Sequence, residues 1–142
     1  MKKSLTTESI VIAHNSLKGA RLTRLDTQEK FTVIRAMRAL RPVASSLQEF
    51  IEDAREKLRP EGWDNIQHKA ERFDTLTEEE KREVNANMEA YNADVARCIG
   101  EEASREQELE FEPLTEEAFG RLLDSNDLDI STIIVLQDVL CE

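Results

Sequence analysis

Turn-forming residues are scarce in this chain. Its 142 residues include four glycines and three prolines, well under the average combined usage of about 12 %. Sandwiches and barrels need many tight turns, so the shortage argues against them and for long helices. Cysteine is almost missing: Cys98 and Cys141 cannot supply a disulfide framework or a four-cysteine zinc site. Cys98 is expected inside a buried helical stripe, with Cys141 at the tail. Long apolar runs are absent as well. The longest, Ile133-Ile134-Val135-Leu136, falls far short of the roughly 18 residues that span a bilayer. The early run Ile10-Val11-Ile12-Ala13 is too short for a secretion signal. The expectation is a cytoplasmic protein that does not enter a membrane.

What is present suffices for one core. Leu, Ile, Val and Phe make up 36 of the residues, about a quarter and above the level of roughly a fifth below which disorder is the default. The length suits a single helical domain over 1–142. Charge is unevenly spread. Nineteen basic and 30 acidic side chains give a net charge of −11. Residues 1–60 carry 12 Lys/Arg against 7 Asp/Glu, while 61–142 carry 7 against 23. Such an asymmetry arises from an interaction surface, from two halves packing together, or from a solvated acidic surface.

Helix starts are well punctuated. Thr6 caps a first helix with Leu5 and Ile10 in the staple positions, and Gly19 suits a left-handed stop. Asp26-Thr27-Gln28-Glu29 forms a capping box that opens a long helix over about 27–58. Its stripe, Val33, Met37, Leu40, Ala44, Leu47, Ile51, Ala54, Leu58, steps by 4 and 3 without a slip. The stripe keeps phase through Pro42, which predicts one helix kinked there rather than two. Phe31 and Ile34 lie off the seam, so the first helix is expected to cover them. Asp64 is expected to cap a short helix with Ile66, Ala70 and Phe73. Thr77-Glu78-Glu79-Glu80 opens a second long helix with the stripe Val84, Met88, Tyr91, Val95 and Cys98 or Ile99. Ala86, Ala90 and Ala93 fall on its other side, open to a close neighbour.

Glu108-Leu109-Glu110-Phe111-Glu112 alternates like a strand, and oppositely charged Ala20–Leu25 is the expected partner. Thr115 caps a short helix to about Asp124. A last apolar element opens at Asp129 or Ser131 and ends at Leu140; its length and the β-branched pair Ile133-Ile134 leave helix and strand both open, with helix preferred. The predicted fold class is mainly α with a minor two-stranded element: a long antiparallel helical hairpin with short flanking helices.

Residues for chemistry are few. His14 and His68 lack a second ligand at helical spacing; Glu71 or Asp64 near His68 is a loose arrangement for a metal. No glycine-rich phosphate loop exists. The many carboxylate pairs are accounted for by caps and solvated faces. The expectation is a protein that is not an enzyme, with no catalytic residue, cofactor or metal. One constellation remains, the basic row Arg35, Arg38 and Arg41 with Arg21 and Arg24 upstream. An arginine row on a helix can grip phosphates. Scarce aromatics and the anionic chain argue instead that the row pairs with the acidic second half, leaving a protein partner or self-association as the expected mode of action. An acidic nucleic-acid mimic that inhibits a host nuclease or repressor, and a nucleic-acid binder acting through the arginines, are the alternatives.

Asn15-x-Leu17 at the end of the first helix, Arg38-Ala39-Leu40-Arg41-Pro42 in the long helix, the Glu-rich segment and Phe111-Glu112-Pro113-Leu114-Thr115-Glu116-Glu117 have a further meaning. In their order they resemble a family of short uncharacterised helical proteins encoded by bacteriophages and prophages. The resemblance covers most of the chain and implies a small accessory protein of a mobile element. Its motifs are structural, so no functional residue is carried over.

Overall fold

A computed structural model describes residues 1–142. The chain runs β1 (Lys2–Thr6), α1 (Thr7–Lys18), α2 (Thr27–Lys57), α3 (Trp63–Glu71), a 3₁₀ turn (Phe73–Thr75), α4 (Glu78–Ala103), β2 (Glu106–Glu110), α5 (Glu116–Asp124) and α6 (Ile130–Leu140). It is mainly α with one small sheet. Two compact units are formed, one from 1–48 with 102–142 and one from 49–101. No helix is long and apolar enough to cross a membrane.

The caps explain the helix starts. Thr6 Oγ1 accepts the Ser9 N–H at 3.2 Å, Thr115 Oγ1 that of Ala118 at 3.2 Å, and Asp129 Oδ1 that of Thr132 at 2.8 Å. Asp26 and Glu29 close the capping box in both directions, the Glu29 N–H donating to Asp26 (2.8 Å) and the Asp26 N–H to Glu29 (2.9 Å). Each satisfies a backbone donor that the first turn leaves free. Pro42 lies inside α2, which continues past it as a single helix. The last segment is a helix, as its cap at Asp129 indicates.

In the first unit the core gathers Ile10 and Ala13 of α1, Leu40 of α2, Leu122 of α5, and Leu136, Val139 and Leu140 of α6. The sheet closes one side of it. β1 and β2 pair antiparallel with Lys2 opposite Glu110, Ser4 opposite Glu108 and Thr6 opposite Glu106. Leu5 faces the core while the three glutamates face out. Lys3 Nζ reaches back to the carbonyls of Asp138 and Cys141, a cation at the C-terminal end of α6 where the helix dipole favours one.

The expected strand partner, Ala20–Leu25, is corrected here. That stretch forms no strand, and β1 takes its place. Opposite charge alone did not discriminate, since Lys2 and Lys3 offer it as well. The Asn126 amide instead holds the 20–25 stretch, accepting the Arg21 N–H (2.8 Å) and donating to the Arg21 carbonyl (2.9 Å). Gly19 ends α1 at φ −104°, not in the left-handed region. Helix α3 begins at Trp63 with Gly62 (φ 76°) before it, so Asp64 sits in the first turn and is not its cap.

In the second unit, Ala54, Val84 and Val95 are buried. The Trp63 and Tyr91 rings meet with centroids 4.4 Å apart, and the Tyr91 hydroxyl donates to the Arg55 carbonyl, which sets α4 against the end of α2. Lys81 lies over the Phe73 ring, 5.5 Å from its centroid. Cys98 is half-buried and Cys141 fully buried, the reverse of the expected emphasis. Ala86, Ala90 and Ala93 face solvent.

Candidate functional site

The α2 capping box also lines a cleft. Glu29 accepts both guanidinium nitrogens of Arg121 at 2.7 Å each, a bidentate pair joining α2 to α5. Arg121, and next the Asp26 N–H, hold the Glu29 carboxyl below the ordinary glutamate value, and Glu29 in turn raises Arg121. Arg35 pairs with Glu112 at 3.3 Å. Between them lies a cavity of about 430 Å³ lined in part by Asp26, Glu29, Thr32, Arg35, Glu112 and Thr115. Its charges are engaged with one another: Asp26 caps, Glu29 holds Arg121, and Glu112 holds Arg35. Such a network fixes the position of α5 on α2 and offers a ligand few uncommitted charges.

The five arginines singled out from the sequence are all exposed. Two meet the acidic second half, Arg35 through Glu112 and Arg24 through Asp124 at 3.8 Å. Arg21 is held through its backbone, and no ion pair forms at Arg21, Arg38 or Arg41. The row is expected mainly to face the acidic half, and the fold pairs two of its five arginines there, Arg24 and Arg35.

The cause lies in helical phase. Residues 31, 34, 38, 41 and 45 step by 3 and 4, which puts them on one face. Val33, Ala36, Leu40 and Leu47 occupy the opposite, buried face. Phe31 (51 % exposed) and Ile34 (40 %) share the outward stripe with Arg38 and Arg41. The expectation that α1 would cover them is wrong: α1 packs on α6 and leaves this stripe open. A second exposed apolar pair, Ile130 (74 %) and Ile134 (53 %), lies one turn apart on α6.

The remaining titratable candidates do not assemble into a site. His14 is buried, with Nδ1 lacking a hydrogen-bond partner. His68 is exposed, 3.9 Å from Glu71, and no cluster of three metal-ligating side chains forms around it. Burial pushes the Cys141 thiol up, with Lys3 opposing, which disfavours the reactive thiolate. Sequence reasoning missed Arg121 and Asn126, whose partners lie 92 and 105 residues away; no local pattern signals either. The exposure of Phe31 was legible in principle from the unbroken 3-and-4 stripe.

Fold and surface together define a mainly α protein with a minor sheet, whose cleft charges are internally paired and whose long helix presents an open apolar and basic stripe. No family model, curated protein or solved structure matches the chain.

Proposed function

We propose that this chain is a non-catalytic accessory protein, cytoplasmic and of the kind encoded by phages and prophages, that acts by contacting another protein. The observation that carries this reading is the outward stripe of α2. Phe31 and Ile34 stay exposed beside Arg38 and Arg41, which form no ion pair, although the same helix buries Val33, Ala36 and Leu40 of its other face in the core. Exposed apolar side chains rimmed by charge mark contact sites. The phage assignment rests on the order of sequence features alone. The test is affinity capture with the full chain from its native host, followed by reconstitution from purified parts. A complex of fixed stoichiometry supports the reading. Capture of nucleic acid in its place contradicts it and favours the arginine-row binder.

One observation favours a second reading, an acidic inhibitor that mimics nucleic acid. Glu106, Glu108 and Glu110 lie exposed on one side of β2, about 6.8 Å apart at a strand's rise of 3.4 Å per residue. That is about twice the rise per phosphate along one strand of duplex DNA. Lys2 opposite Glu110 and the Ser4 hydroxyl donating to Glu106 at 3.2 Å weaken the row. Release of a DNA-binding protein from duplex DNA by the chain, lost in the triple Glu→Gln variant, would raise this reading above the first.

A further inference from the structure

We propose that the outward stripe of α2 receives an acidic amphipathic helix of a partner protein, with Phe31 and Ile34 as its apolar contacts and Arg38 and Arg41 as its charge contacts. The inference rests on the protein-contact reading above and adds what the partner must present. Three observations set the chemistry. First, the stripe Phe31, Ile34, Arg38, Arg41, Ser45 repeats by 3 and 4, the spacing of a seam that takes another helix along its length. From 31 to 41 it measures about 15 Å at 1.5 Å per residue, close to three turns. Second, the charge is of one sign. No acidic residue occurs between Glu29 and Glu49. Glu29 is held by Arg121 and Glu112 by Arg35, so neither neutralises Arg38 or Arg41. Third, the two ends of the stripe differ, apolar at 31–34 and basic at 38–41. A partner helix matching it carries leucine-like side chains over one turn and carboxylates over the next.

Carboxylates at i and i+3 or i+4 on such a helix are about 4.5–6 Å apart, which matches the 4.5 Å rise from Arg38 to Arg41. A nucleic-acid duplex would engage the arginines through its phosphates and leave Phe31 and Ile34 without a matching surface. The exposed pair Ile130 and Ile134 on α6 is followed in phase by one exposed charge, Asp138, and a single carboxylate does not specify an occupant.

The test is a yeast-displayed library of fully random peptides about 18 residues long, sorted on the full chain at about 50 mM salt, where charge contacts are least screened. Enriched peptides should be net acidic, with Asp or Glu at 3-and-4 spacing next to an apolar turn. Their affinity should fall about tenfold for Arg38→Gln/Arg41→Gln, as loss of about 1.4 kcal/mol would give, and several-fold for Phe31→Ala. All four side chains are exposed, and equal melting temperatures would show that the variants fold. No enrichment, enriched peptides without acidic character, or binding indifferent to the double variant overturns the proposal. A self-associating dimer lost in the same variants assigns the stripe to a second copy and also overturns it, as does tighter variant-sensitive binding of a 16-base-pair duplex. A partner protein captured equally by parent and double variant defeats this inference while leaving the protein-contact reading intact; failure of both capture and enrichment defeats the two together.

Discussion

Truncating Leu40 and Ile34 to alanine, one at a time, separates the inward face of α2 from its outward stripe. Leu40 is fully buried among residues of α1, α5 and α6. Its truncation removes about three methylene equivalents at about 0.8 kcal/mol each, near 2.4 kcal/mol. A residual cavity of about 50 Å³ adds about 1.2 kcal/mol at 24 cal/mol per Å³ if the surroundings do not collapse. Ile34 loses the same number of carbons, but it is 40 % exposed and water fills the space. Its transfer loss is then at most about 1.4 kcal/mol, an upper bound because the unfolded chain is not fully extended. Expected losses are about 3 kcal/mol for Leu40→Ala and about 1 kcal/mol for Ile34→Ala. In a chain of this length these correspond to about 10 °C and about 3 °C in Tm. Urea unfolding followed by circular dichroism at constant m value gives the comparison directly. Equal losses would refute the reasoning, because they would mean that Ile34 is covered in solution and the stripe is not free.

Three further outcomes follow from the geometry. Leu47→Asp places a charge at a buried position of α2 and should destabilise by several kcal/mol; a variant that melts like the parent would disprove its inward placement. Pro42→Ala restores an N–H that can bond to the Arg38 carbonyl within an uninterrupted helix, so stability should rise by about 1–3 kcal/mol, and a fall in the urea midpoint would contradict this. Glu29 is held below its ordinary pKa of 4.5 by Arg121, so its contribution is present above that pH and fades as pH falls through the folded value. Glu29→Gln should therefore be the less stable protein at neutral pH, with the gap closing in acid; a gap that widens in acid would exclude the Glu29–Arg121 pair as its source.

Local features were readable and distant ones were not. Thr6, Asp26 with Glu29, Thr115 and Asp129 signal helix starts because a cap and the donor it satisfies lie three residues apart. The 4-and-3 stripe carried α2 through Pro42 because phase along one helix is a local property. Pairing across the fold has no such signature. Ala20–Leu25 offers alternation and positive charge while Lys2–Thr6 offers only the charge, and the choice of β1 falls to contacts only the folded chain makes, such as the Thr7 N–H to the Arg105 carbonyl (2.9 Å). The same holds for Arg121, which reaches Glu29 across 92 residues. Phe31 and Ile34 depart from the expectation of cover, which rests on the usual burial of apolar side chains. Their exposure is the departure from local expectation that the functional proposal uses.

The central claim is that α2's outward stripe is a protein-contact surface. A photo-crosslinking amino acid placed at position 31 of the full chain, with a control at exposed Glu117 on α5, tests it in the native host. The account predicts one discrete protein adduct at position 31, lost in the Arg38→Gln/Arg41→Gln background, and none at 117. Discrete adducts at 117 with none at 31, or adducts at 31 with nucleic acid only, would contradict it.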